Sequence, residues 1–235
     1  MCGRFITGAD EMTWAEYRDM LTLVTSASSL EPHDCYPGTP VPMVYTEETT
    51  KTERRLTTAR WGFTPPKRLG LPPSRVIFNL RDDRLHKTFP RYAEGGRCLL
   101  PAAGFYEWKK SEGQKRKQRF RLGLRHYPLF SFAGVWKRED RKSHPRPPGG
   151  NDASPKAPSS PEGELVCSLL TTSPNDEVAP IHHRMPVILL GDDANRWLSN
   201  DTSAGELEAL LRPCDAPMEI HPLESPSQDR QLSLF

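Results

Sequence analysis

Arg97-Cys-Leu-Leu-Pro-Ala-Ala-Gly-Phe-Tyr-Glu-Trp108 is the stretch on which the fold turns. Proline and glycine divide it into two short apolar runs, 97–101 and 104–108, each of strand length. Outward from it the same punctuation recurs. Residues 118–124 and 129–136 follow as strands, 56–63 and 75–79 precede it, and 164–172 and 186–190 resume the pattern. Residues 3–7 form a further short strand. Helical spacing shows only at the margins. Trp14, Tyr17, Met20, Leu21 and Val24 give an amphipathic helix over 13–24, and residues 192–199 and 204–212 follow N-cap-type residues. Many short strands with few helices, and no internal repeat, read as α+β: a single strand-rich domain with a mixed sheet and peripheral helices.

Part of the chain lies outside any core. Hydrophobic residues make up only 36% of the 235, and 24 are proline. Residues 32–42 are proline-rich and extended. Residues 137–163 contain Pro-Arg-Pro-Pro-Gly-Gly and Ala-Pro-Ser-Ser-Pro, a composition suited to a disordered insertion. Beyond Pro222 a polar tail follows. The domain is therefore assigned to 2–222 and the tail to 223–235.

A net charge of +2 does not announce a nucleic-acid protein, so any basic surface must come from local clustering. One cluster is Lys109-Lys-Ser-Glu-Gly-Gln-Lys-Arg-Lys117, a hairpin tip that is either a solvated turn or a phosphate-contacting loop. Five scattered cysteines, without a Cys-x-x-Cys or Cys/His cluster, argue against a disulfide framework or a metal site and favour a reducing cytosol. No cofactor is implied. No signal peptide and no apolar run long enough to span a bilayer is present, so no membrane partner is expected.

Four separated segments carry chemistry. The first is Met1-Cys2-Gly3-Arg4. Removal of Met1 would leave an α-amine and a thiol on one residue, a pair that condenses with an aldehyde to an imine and closes a thiazolidine ring. A frayed chain start is the other reading. The second is Phe78-Asn79-Leu80-Arg81. The third is Gly104-Phe-Tyr-Glu-Trp108, where alternation puts Phe105, Glu107 and Lys109 on one face and Tyr106 and Trp108 on the other. Glu107 in such apolar company is either a paired structural charge or a tuned acid/base. The fourth is Ile181-His182-His183-Arg184-Met185-Pro186. Adjacent histidines on an extended segment point opposite ways, so only one is expected to face a site.

In this order, Met1-Cys-Gly-Arg-Phe, Trp61-Gly62, Asn79-x-Arg81, Gly104-Phe-Tyr-Glu-Trp108 and His182-x-Arg-Met-Pro186 resemble the SOS response-associated peptidase family, the SRAP or YedK-like proteins. The resemblance covers most of 2–222 outside the insertion. It implies the barrel-like SRAP-type fold and covalent capping of abasic sites in single-stranded DNA by Cys2 through a thiazolidine, with strand cleavage by β-elimination as a further outcome. His182 and Glu107 match the acid/base positions, and Asn79 matches the position that orients the sugar or amine. Arg4 and Arg81 match positions that hold phosphates, and Trp61 and Trp108 are candidates for base stacking, with core packing the favoured reading for Trp61. The partner implied is DNA with abasic sites, met by a monomer in the cytoplasm and on the nucleoid when DNA is damaged.

The chain departs from that pattern in places. Asp34, within His33-Asp-Cys-Tyr-Pro37, stands where the family often has Asn, and its charge should weaken DNA binding. Pro65-Pro66-Lys67 replaces an aromatic wedge, leaving Lys67 to pair with phosphate. Leu80 and Asp83 stand for Ala and Glu. Finally, Gln231-Leu232-Ser233-Leu234-Phe235 looks like the short peptide by which bacterial polymerases and repair proteins bind the sliding clamp: Leu234 and Phe235 would fill an apolar pocket while Gln231 bonds at the rim. A docking segment on the protein's own core is the alternative. The rival functions are a cysteine peptidase acting on Met1 or a peptide, and a non-catalytic clamp-binding module.

Overall fold

The computed structural model describes residues 2–46, 52–65, 67–72, 75–90, 92, 96–110, 116–140 and 163–223. The elements in chain order are β1 (Phe5–Ala9), α1 (Glu11–Leu21), β2 (Leu23–Val24), β3 (Leu30–Cys35), β4 (Pro40–Thr46), β5 (Arg54–Trp61), β6 (Asn79–Arg81), α2 (Leu85–Thr88), β7 (Arg97–Ala102), β8 (Gly104–Lys109), β9 (Gln118–Leu124), β10 (Phe130–Glu139), β11 (Glu164–Thr172), β12 (Met185–Pro186), β13 (Ile188–Leu189), α3 (Gly191–Leu198), α4 (Ala204–Ala209) and β14 (Met218–Leu223).

The two runs of the 97–108 stretch enter different sheets. β7 lies between β4 and β10, and β8 lies between β1 and β9 in a five-stranded antiparallel sheet ordered β14-β9-β8-β1-β3. β4, β5, β11, β10 and β7 pair in a ring, so the larger sheet closes on itself as a five-stranded barrel. Closure removes free edges. Its seam is short and parallel, with Val166 opposite Arg60 and Cys167 opposite Trp61. Gly62 N donates to Cys167 O at 2.6 Å and Trp61 Nε1 to Phe78 O at 2.7 Å beside it. Gly62 sits at φ +117, and a Cβ there would come within 2.4 Å of Val76 Cγ1, so the chain can turn here only with glycine.

Alternation along the barrel strands feeds two cores. Met43, Trp61, Leu100, Phe132 and Leu169 pack with Phe5, Phe105 and Leu122 of the smaller sheet. Val44, Leu99, Val135 and Leu170 belong with Trp14 and Tyr17 of α1 and Trp197 of α3 in the other. Each fully buried large apolar side chain contributes roughly 1.5–3 kcal/mol. All five cysteines are free and buried.

Several expected boundaries shift. α1 starts earlier, capped by Asp10 accepting from Thr13 N at 2.8 Å, and ends at Leu21 because Thr22 turns left-handed at φ 52. Val24 is thus not helical but exposed on β2. α3 lacks the expected cap: Leu190 precedes it without a side-chain bond, and Gly191 opens it at φ 49. α4 does have a capping box, between Ser203 and Glu206, and is shorter than expected. The insertion is narrower than 137–163: Lys137 and Glu139 extend β10, where Glu139 pairs with Glu164 across the ladder. The rest of it, 141–162, lies outside the described residues, as do 111–115 of the basic tip and 224–235 of the tail. Among the described residues no helix is long and apolar enough to cross a membrane.

Candidate active site at the start of the chain

β1 is an inner strand, held by β8 on one side and β3 on the other. Phe5 lies opposite Phe105, and Tyr106 N donates to Arg4 O at 3.0 Å, so the ladder continues into the residues before β1. The chain start is therefore ordered where the frayed alternative required it loose. Cys2 is 1% exposed, its Sγ 3.5 Å from Arg4 O. Asn79 reaches it from the other sheet: β6 pairs with β11, with Asn79 opposite Leu169, and Asn79 Nδ2 donates to Cys2 O at 2.6 Å. The Asn79 Oδ1 atom is buried and has no hydrogen-bond partner among the described residues. A buried acceptor left open this way suits a polar ligand.

Glu107 is 2% exposed, on the face of β8 that Phe105 directs into the core. His182 follows a turn after β11, and its Nδ1 lies 3.9 Å from Glu107 Oε1. Cys2, Asn79, Glu107 and His182, drawn from four separated segments, thus meet in one place. Burial pushes the Glu107 carboxyl up to about 7, the positive chain terminus partly offsetting it. Burial, and then the nearby Glu107 charge, push the Cys2 thiol well above the ordinary range. Burial pulls His182 below the ordinary imidazole value. The ensemble at neutral pH is a neutral thiol, a neutral imidazole and a carboxyl poised between its two forms, which suits proton transfer.

The two histidines correct the expected geometry. Their rings do not diverge but lie 4.4 Å apart at 33°, because the segment is a turn and not a strand. His182 Nδ1 sits 2.9 Å from Arg184 O and 3.1 Å from Arg184 N, which fixes its ring, whereas His183 is exposed.

The arginines are engaged within the protein. Arg4 forms a two-pronged pair with Asp34, Nη2 to Oδ2 at 2.6 Å and Nε to Oδ1 at 3.2 Å, with its guanidinium over the rings of Tyr106 and Tyr36. Arg81 forks onto Asp83 at 2.9 and 2.7 Å. Arg184, of the His182-x-Arg-Met-Pro186 motif, donates to Asp82 at 2.7 Å and to Thr171 O. Lys67 is exposed on a short turn, Trp108 is half-buried, and Trp61 is fully buried against Phe5 and Phe78, as a core residue. Gln231, Leu232, Leu234 and Phe235 lie outside the described residues. A cavity of about 670 Å³ runs from Asn79 past Phe78, Arg81, Arg75, Arg84 and Lys87, a basic cleft with an apolar wall. Among the described residues no group of three His, Cys, Asp or Glu could hold a metal.

Comparison with known proteins gives a consistent picture. The chain is 30% identical over 232 residues to the abasic site processing protein YoqW of Bacillus subtilis, covering 96% of this chain and 93% of that one. It is 32% identical to YoaM of the same organism, covering 73% and 69%, and 26% identical to mouse HMCES, covering 76% of this chain and 55% of that protein; both are also named abasic site processing proteins. A solved protein from Bordetella bronchiseptica matches the fold with a TM-score of 0.69 at 22% identity, over 95% of this chain and all of that one. Another, from Bacteroides thetaiotaomicron, matches with a TM-score of 0.67 at 18% identity, over 95% and 92%. The model of the SOS response associated peptidase (SRAP) family matches residues 1–226, and the chain belongs to that family.

Proposed function

We propose that the protein processes abasic sites in single-stranded DNA by capturing them covalently on Cys2. The observation that carries this reading is the buried meeting of Cys2 with Asn79, Glu107 and His182. The names of its relatives support the substrate.

The chemistry follows from the groups present. Once Met1 is removed, the Cys2 amine adds to the C1′ aldehyde of the ring-opened sugar and gives a carbinolamine. Loss of one water gives the imine. The Cys2 thiol then adds across the carbon–nitrogen bond, its sulfur to carbon and its proton to nitrogen, and closes a thiazolidine. The net change is one water released. Protonated Glu107 supplies the proton that lets hydroxide leave as water, and its carboxylate form accepts one from the thiol. His182 handles the proton of the sugar ring oxygen. Asn79 fixes the Cys2 carbonyl so that amine and aldehyde meet in one geometry, and this proximity accounts for the larger share of the rate. The imine also acidifies the neighbouring C2′ hydrogen, so β-elimination of the 3′ phosphate is the route by which it acts as a lyase.

The direct test is a denaturing gel of protein with single-stranded DNA bearing one abasic site, without borohydride. A band that survives denaturation in wild type and is lost in Cys2→Ala is expected. Its absence from protein shown by mass to lack Met1 overturns the reading and favours a cysteine peptidase. A peptidase would act on Met1 or a peptide without DNA.

A second reading concerns delivery and rests on Gln231-Leu-Ser-Leu-Phe235, a pentapeptide that arises by chance on the order of once in 10⁵ positions. It is proposed to bind the bacterial polymerase sliding clamp. Leu223, the last described residue, pairs with Arg119, and Arg119 with Trp108, so β14 ends two strands across from β8. Deletion of 231–235 should abolish binding to purified clamp while leaving capture of a free oligonucleotide intact. Clamp binding that survives the deletion overturns it.

A further inference from the structure

Arg4 sits beside the proposed nucleophile, yet its hydrogen-bonding edge is filled. Asp34 takes Nε and Nη2 in a fork-to-fork pair, the geometry that a phosphate would otherwise adopt. Tyr106 at 4.5 Å and Tyr36 at 5.2 Å lie against the guanidinium. Both Asp34 and Tyr36 come from β3 and the turn after it, about thirty residues from Arg4 in sequence and brought there by the β1–β3 ladder, in which Ile6 faces Asp34. The Arg81 guanidinium shows the same arrangement with Asp83, and Arg184 binds Asp82. Three arginines around one site each already hold a carboxylate.

We infer that Asp34 sets the affinity of this site for DNA by occupying Arg4 as a stand-in for a backbone phosphate, which the incoming strand must displace. The inference rests on the proposed DNA-capturing function and adds a residue that tunes it. A strand phosphate gains the Arg4 fork only as Asp34 loses it, and Asp34 then stands as a like charge near the phosphate. Both effects weaken binding of any strand, damaged or not, because phosphates carry no information about the lesion. The chain therefore relies on covalent capture, and not on tight prior binding, to tell an abasic strand from an intact one. Tyr36 and Tyr106 keep the guanidinium in place during the exchange, so the arginine stays oriented as its partner changes.

The test is a double-mutant cycle on single-stranded DNA affinity, read by fluorescence anisotropy on an intact and an abasic oligonucleotide. Wild type, Asp34→Asn, Arg4→Gln and the double variant are compared, with Asp34→Ser as a second replacement and thermal melts to establish folding. Asp34→Asn and Asp34→Ser should each bind about three- to tenfold more tightly on both oligonucleotides. The gain should vanish in the Arg4→Gln background. Unchanged or weaker binding by folded Asp34 variants overturns the inference, and so does a gain that persists without Arg4, since that would be a general charge effect. Cys2-dependent crosslinking is scored in the same samples. Its absence in wild type counts against the proposed function, whereas crosslinking with an unchanged Asp34→Asn affinity counts against the exchange alone.

Discussion

Asn79 lies on β6, beside β11 of the barrel, and the 2.6 Å bond from its Nδ2 to the Cys2 carbonyl ties the start of the chain to that sheet. Cys2 has no element of its own: it precedes β1 and is positioned by that bond, by the Tyr106–Arg4 ladder bond and by burial. A residue so near the chain terminus would otherwise wander. Here the protein spends an asparagine on removing that freedom.

Asn79→Ala should therefore slow covalent capture without a matching loss of DNA affinity. One neutral hydrogen bond is worth about 1 kcal/mol net, and the buried Cys2 carbonyl would be left open at further cost, so a slowing of about tenfold or more is expected. Asn79→Asp should be worse than Asn79→Ala, because it sets an acceptor against an acceptor. Single-turnover crosslinking time courses at saturating protein separate the two effects. Equal rates for wild type and Asn79→Ala would remove Asn79 from the positioning role.

The acid/base role proposed for Glu107 puts the pH dependence of the proposed reaction and that of stability in the same window. Its folded pKa of about 7 lies above its ordinary value of 4.5. A carboxyl raised in this way favours folding in its neutral form. That contribution is whole below about pH 4.5 and is lost as the pH rises through about 7. Glu107→Gln keeps the neutral shape, so the variant should melt higher than wild type above neutral pH, by up to ~3 kcal/mol of stability, with the difference closing towards acid. Its crosslinking should fall about a hundredfold at neutral pH and lose the inflection that wild type shows near that value. A wild-type rate that is flat from pH 5.5 to 8.5 would contradict the acid/base assignment.

Burial pulls His182 below the ordinary imidazole value, so it is neutral at neutral pH. His182→Ala should spare DNA affinity and slow the covalent step about tenfold to a hundredfold. The neighbouring ring gives the control: His183 is exposed, and His183→Ala should change the rate less than twofold. If the two substitutions act alike, the 3.9 Å approach of His182 to Glu107 has no catalytic meaning.

Local pattern carried much of this molecule, and long-range pairing carried the rest. Alternation and punctuation made the strands around 97–108 legible, along with the core role of Trp14, because burial of one face writes a period into the residues themselves. Barrel closure left no such trace: it depends on two residue pairs, Val166–Arg60 and Cys167–Trp61, about a hundred residues apart. The four-residue site could be assembled only through the family resemblance, since Cys2 and His182 share no local spacing. The adjacent histidines were misplaced because a turn does not alternate as a strand does. Asp34 was visible as a departure from the family pattern, but its grip on Arg4 was not, because β1 and β3 meet only once the sheet has formed.

The barrel seam rests on a charged cluster whose loss should be felt as stability and not as chemistry. Glu139 is nearly buried and accepts from Thr64 N at 3.0 Å and from Lys137 Nζ at 2.6 Å; Arg60 lies 3.7 Å from it and 3.2 Å from Glu164. These groups span β5, β10 and β11 at the point where the ring closes, and they anchor the segment that leads from β5 towards Lys67. Glu139→Ala removes the carboxylate partner of Lys137, the acceptor of Thr64 N and one of the two carboxylates near Arg60, and should cost roughly 2–4 kcal/mol, the solvent contact of Lys137 and the remaining Arg60–Glu164 pair keeping it below the cost of a fully buried pair. Glu139→Gln keeps an acceptor for Thr64 N and should cost about half as much. Both variants should crosslink at near wild-type rates at temperatures well below their melting points, because the cluster does not touch Cys2, Asn79, Glu107 or His182. Urea melts at neutral pH measure the ordering. A loss of less than about 1 kcal/mol for Glu139→Ala would mean that the seam is held by its backbone bonds and by Trp61 and Gly62 alone.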